Sequence, residues 1–180
     1  MKRLVLFLLL LVCNFSILAS GQHGKTIPVA RDFFELARQA EMKRVPILLM
    51  VSQDHCPFCE LLKAEVLNPM MISGDYTDMV VMTELLIDIG DSVTDFDGNR
   101  VYPGKVASDY NTWVTPTLLF LDHQGKEVHK RMLGVNTVEM YGFYLDESLD
   151  AALAAVKKGE PYVYRSNRKD QQGSDPHKDF

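Results

Sequence analysis

Ile47-Leu48-Leu49-Met50-Val51-Ser52-Gln53-Asp54-His55-Cys56-Pro57-Phe58-Cys59 runs from an unbroken apolar segment into two cysteines. Residues 47–51 show no polar alternation, the pattern of a short strand buried on both faces of a sheet. Beyond Cys56, the spacing of Leu61, Leu62, Glu65 and Val66 predicts a helix, with Asn68-Pro69 as its expected end. The cysteines thus fall where a strand gives way to a helix N-terminus. The first backbone N–H groups of a helix have no partner inside it, and the dipole there is positive. A thiolate is stabilised in that position, and the thiolate is the form that attacks a disulfide. Cys56 is therefore the expected nucleophile. Cys59, one turn on, is placed to attack the mixed disulfide that results. Pro57 suits the first helical turn, where no N–H is needed, and Phe58 adds apolar surface beside the sulfur. His55 has two readings: an imidazolium that stabilises the thiolate, or an exposed loop residue.

Other uses of the Cys-x-x-Cys spacing fit less well. Zinc and iron–sulfur sites need further ligands. The third cysteine, Cys13, lies in the N-terminal apolar segment, and His23, His123, His129 and His177 are scattered. No metal and no cofactor is called for. A disulfide across two intervening residues closes too small a loop to restrict the unfolded chain much, so a purely structural role explains little. Asp95, Asp97 and Asn99 around Gly98 faintly resemble a calcium loop but lack its later glutamate, and turn chemistry accounts for them.

The N-terminus is different in kind. Met1-Lys2-Arg3, an apolar run from Leu4, and Ala19-Ser20-Gly21 have the order of a secretory signal peptide, expected to span residues 1–21. An uncleaved anchor is the alternative. Export would take the protein to the periplasm or outside the cell, where disulfides form. The C-terminus His177-Lys178-Asp179-Phe180 is not a standard retention signal, which favours a bacterial periplasm. A net charge of -5 argues against nucleic acid as a partner, since phosphate binding needs a basic face.

The remaining chain reads as one domain, residues 22–160, followed by a polar tail, 161–180, expected to be disordered or draped on the surface. Helical spacing is expected over 31–44, an apolar strand pattern in 80–82 and 85–89, and a tight turn at Asp97-Gly98. Thr117-Leu118-Leu119-Phe120-Leu121 is another buried strand. A turn at 122–126 leads to an antiparallel strand 127–133, and a last helix follows from the cap Thr137 to about Lys158, closed by Gly159.

Val114-Thr115-Pro116-Thr117 completes the pattern. With the strand after Pro46, Cys56-Pro57-Phe58-Cys59, Gly125 in the hairpin and Gly134 before the last helix, the chain resembles the thioredoxin superfamily over roughly residues 30–158. The resemblance implies an α/β fold with a mixed central sheet and helices on both faces. It implies a cis Thr115–Pro116 bond facing the cysteines, with Thr115 offering backbone hydrogen bonds to an extended substrate. On that basis Cys56 and Cys59 are the catalytic residues, and Pro57, Phe58, Thr115 and Pro116 bind substrate. A trans proline opening an edge strand is the other reading of Pro116. Trp113 is read either as a wall of the substrate groove or as a loop anchor in the core.

Glu60-Leu61-Leu62-Lys63, Leu67-Asn68-Pro69 and Ser73-Gly74-Asp75 are most similar to exported bacterial thioredoxins of the SoxW type. That likeness implies a monomeric thiol–disulfide oxidoreductase that reduces disulfides of exported proteins and draws electrons from a membrane dithiol carrier. A thiol oxidase, an isomerase, or a partner-binding module without turnover are the alternatives. One departure stands out. Thioredoxins carry a buried acid six residues before the first cysteine, where this chain has Met50, so Glu84, water or another group would have to move the proton of Cys59.

Overall fold

The computed structural model describes residues 26–90 and 92–159. The expected signal segment and the polar tail lie outside the described residues. Helix α1, Phe33–Lys43, is capped by Asp32, whose carboxylate accepts from the Glu35 N–H at 2.8 Å. It buries Phe33, Ala37 and Ala40. Arg44 then takes a left-handed conformation, φ 56°, which turns the chain into strand β1, Ile47–Ser52. All six residues of β1 are buried, as the unbroken apolar run predicts.

Helix α2, Pro57–Leu62, continues through a π-helical turn, Lys63–Leu67, into α3, Asn68–Ser73. The expected stop at Asn68-Pro69 is therefore not a stop. A proline inside a regular helix removes one hydrogen bond and clashes with the carbonyl four residues back. The wider π turn, in which the Asn68 N–H reaches the Lys63 carbonyl, shifts the register so that Pro69 falls at the start of a fresh segment. Gly74, φ 80°, ends the helix instead.

Strand β2, Val81–Leu86, joins the two apolar runs as one expected strand, and Thr83 and Glu84 in its middle are buried with partners. A two-stranded ribbon, β3 (Val93–Thr94) and β4 (Arg100–Val101), turns at Gly98. The Asp95 carboxylate is consumed by that turn, accepting from the Asp97 and Asn99 N–H groups. Short helix α4, Pro103–Asp109, precedes β5, Thr117–Leu121, and β6, Glu127–Leu133. Helix α5, Val138–Lys158, closes at Gly159 in the left-handed region.

The main sheet has the order β2-β1-β5-β6. β1 runs parallel to β2 and antiparallel to β5, and β5 is antiparallel to β6. Alternate residues of β1 feed cores on opposite faces. Leu48 and Met50 pack with Cys59, Leu62, Phe120, Leu145 and Leu149; Ile47, Leu49 and Val51 pack with Phe33, Leu119 and Val106. This is the mixed sheet with helices on both faces that the fold class requires. No helix among the described residues is long and apolar enough to cross a membrane.

The β5–β6 hairpin turns at Gly125, φ 74°, in a tight place. A Cβ there would lie 2.8 Å from Phe96 Cδ2 and 2.9 Å from the Tyr110 hydroxyl. That hydroxyl donates to the Gly125 carbonyl at 2.6 Å, so it cannot easily retreat. Gly125→Ala is expected to lower stability by about 2 kcal/mol or more, from the forced contact and the positive φ together. The measurement is a urea midpoint that falls with unchanged slope.

Candidate active site

β1 ends at Ser52 and the chain crosses Gln53, Asp54 and His55 before α2. That crossing is held in place by the Asp54 N–H, which donates to Asp88 Oδ1 at 2.9 Å. His55 then sits at φ 54°, a left-handed conformation that costs a non-glycine residue roughly 1–2 kcal/mol. The turn delivers Cys56 to the N-cap of α2 in extended conformation, φ -98° and ψ 100°. Pro57 takes the first helical turn.

The sulfurs of Cys56 and Cys59 are joined as a disulfide, with Cα atoms 5.2 Å apart. They differ in access. Cys59 is fully buried, whereas Cys56 is half-buried. Cys56 Sγ accepts from the Cys59 N–H at 3.2 Å. An orphan donor of the helix end therefore points at the outer sulfur, where a thiolate would sit once the pair is reduced. Glu60, in the first turn, would oppose that anion, but its carboxylate is drawn to the Lys63 ammonium at 2.7 Å.

From the other side of the sheet's end comes the Thr115–Pro116 bond, which is cis. The Thr115 hydroxyl lies 3.7 Å from Cys56 Sγ and donates to Gln53 Oε1 at 2.9 Å. Pro116 is buried, and its carbonyl accepts from the Gly134 N–H at 2.8 Å. The Thr117 hydroxyl donates to the Val114 carbonyl at 2.6 Å. Cys56, Cys59 and Thr115 are thus brought together from segments far apart in sequence. Phe58, Trp113 and Val114 stay exposed nearby in sequence, at 58%, 79% and 51%. Of the two readings of Trp113, the core anchor fails. The His55 side chain is 94% exposed, and its Nε2 lies 3.2 Å from Asp54 Oδ2.

Below the cysteines lies a buried carboxylate. Glu84 is opposite Met50 in the parallel β1–β2 register and shares a strand face with Met82, which packs in the same core as Met50 and Cys59. It is 2% exposed. The Ser52 hydroxyl donates to Glu84 Oε1 at 2.6 Å, and Lys63 Nζ reaches the same oxygen at 3.1 Å. Burial works against the Lys63 ammonium, yet the hydrogen bonds and charges of Glu60 and Glu84 outweigh it and hold its pKa above the usual lysine value. The acid missing at Met50 has a counterpart one strand over. The signal for it was a lone glutamate between two apolar runs. Among the described residues, no cluster of three or more His, Cys, Asp or Glu is arranged to hold a metal ion.

No protein with a curated function matches the chain. The solved DsbH oxidoreductase is similar at a TM-score of 0.53 and 15% identity, over 77% of this chain and 96% of that one. Thioredoxin of Fasciola hepatica is similar at a TM-score of 0.46 and 18% identity, over 69% and 97%. Identities this low bear on the fold alone. The sequence itself matches the thioredoxin-like domain family over residues 33–149, which takes in both halves of the site. With strand, cysteine pair and cis-proline loop all inside that match, the chain belongs to the thioredoxin-like domain family.

Proposed function

We propose that the protein is a thiol–disulfide oxidoreductase that reduces disulfides of exported polypeptides. The observation that carries this reading is the asymmetry of the pair: Cys56 half-buried at a helix N-cap beside Thr115-Pro116, Cys59 buried one turn behind it. In the reduced protein, the Cys56 thiolate attacks one sulfur of a substrate disulfide. A Cys56–substrate disulfide forms, and the other substrate sulfur leaves as a thiolate. Cys59 then loses its proton and attacks Cys56 Sγ. The Cys56–Cys59 disulfide forms and the second substrate thiolate departs. Two electrons and two protons pass to the substrate, and a dithiol donor must return them.

Export rests on the basic, apolar and small-residue order of residues 1–21. A periplasmic site with a membrane dithiol carrier as donor follows from that order and from the likeness to SoxW-type thioredoxins. Phe58, Trp113 and Val114 would offer apolar surface to a substrate chain, and Thr115 its backbone groups. The protein would work as a monomer, with no cofactor.

Titration of the Cys56–Cys59 pair against glutathione tests the direction. A reductase is expected to show a potential of about −200 mV or lower, in the range of glutaredoxins and thioredoxins. A strongly oxidising value would make it an oxidase instead, and a pair that exchanges with no disulfide at all would remove the enzymatic reading.

A further inference from the structure

The main sheet ends at β6, and among the described residues no strand pairs with its outer edge. Such an edge exposes a row of backbone donors and acceptors that can take another strand. Alongside it runs a cleft of about 650 Å³ between β6 and α5, walled by Met132 and Leu133 from the strand and by Tyr141 and Tyr144 from the helix.

Two features of this cleft point to its occupant. The first is an apolar rim: Leu133 and Tyr144 are 56% and 53% exposed, and Phe143 packs edge-on against Tyr144 at 5.6 Å between ring centroids. The second is continuity with the cysteine site. The cleft reaches Gly134, whose N–H holds the Pro116 carbonyl, and Leu133 pairs with Thr117.

We propose that this cleft holds an extended flank of the polypeptide whose disulfide Cys56 attacks. The flank adds to the outer edge of β6 as a strand and places an apolar or aromatic side chain between Leu133 and Tyr144. An extended chain supplies what the edge and the rim ask for at once: main-chain groups for the one and an apolar side chain for the other. The inference rests on the thiol–disulfide reading and deepens it, from disulfides in general to polypeptides with an extended apolar flank. A second copy of the chain fits the edge less well. Antiparallel pairing of β6 with itself about Lys130 sets Lys130 against Lys130, like charges across the ladder.

The test compares two substrates on the full chain: insulin, a polypeptide disulfide, and glutathione disulfide, which is too short to fill the cleft. Tyr144→Glu is expected to raise KM for insulin about tenfold or more, as loss of an apolar anchor does, while kcat/KM for glutathione disulfide stays within about twofold. Insulin kinetics unchanged in Tyr144→Glu, or equal losses on both substrates, would overturn the proposal. So would a chain ended at Gly159 that binds insulin more tightly, because the chain's own residues 160–180 would then be the occupant. Failure of the redox reading itself looks different: the unaltered protein would turn over neither substrate.

Discussion

Cys56→Ser is expected to bring disulfide reduction to background, and Cys59→Ser to leave the protein covalently joined to its substrates. The two losses differ because the two sulfurs do different work. A serine hydroxyl at position 56 stays protonated at neutral pH, and the donor from the Cys59 N–H, 3.2 Å from the sulfur, cannot make it a nucleophile. In Cys59→Ser the outer thiolate survives and still attacks. What is lost is the second step, which owes its speed to a sulfur held one helical turn from the first. Intramolecular attack in good geometry corresponds to effective concentrations of about 10⁵ M and above, so release is expected to slow by at least about a thousandfold. Mass spectrometry of the Cys59→Ser protein after reaction with insulin should show the adduct, and added dithiothreitol should remove it. A Cys59→Ser protein that turns over at the normal rate would assign resolution to an outside thiol. A Cys56→Ser protein that forms adducts through Cys59 would reverse the roles, which the full burial of Cys59 argues against.

Much of this site is legible in the sequence because its decisive parts are contiguous. An apolar strand, a short crossing and a cysteine at a helix start all fall within residues 47–59, and each has a local physical signature. The pairing of that stretch with Thr115-Pro116 is not local. It came through family resemblance, since nothing in residues 114–117 alone says which element they face. Two features escaped for physical reasons. The run through Pro69 defeats the rule that proline stops a helix, because a π turn upstream absorbs the mismatch, and no residue between Lys63 and Leu67 advertises that turn. Likewise Trp113 and His55 are residue types that are as often packed or bonded as exposed. Only the path of the loop decides, and the loop leaves both in solvent.

Glu84→Gln is expected to slow the resolving step by roughly tenfold to a hundredfold while leaving the first attack by Cys56 unchanged, the lower part of the range for a lost general base or a little below it. The argument starts from burial. Cys59 is fully buried, so its proton cannot pass directly to bulk water when it becomes a nucleophile. In thioredoxins the acid for this purpose stands where this chain has Met50, and methionine cannot serve. Glu84 lies opposite Met50 on the neighbouring strand, on the face that packs against Cys59, and it is held by Ser52 and Lys63. Lys63 begins one helical turn after Cys59, which ties the carboxylate to the same helix. Gln keeps the shape and can still accept from Ser52, but it carries no charge and takes no proton. The substitution also strands the Lys63 ammonium, which is 17% exposed and retains only Glu60, so some stability is expected to be lost as well. The second variant separates these effects. Adding Lys63→Met to Glu84→Gln removes the stranded charge and should recover the urea midpoint without recovering the resolution rate. Rapid mixing of the reduced protein with a chromogenic disulfide resolves the two steps and gives the rate of each. If the double variant recovers rate together with stability, Glu84 and Lys63 form a structural pair and the proton of Cys59 leaves by another route.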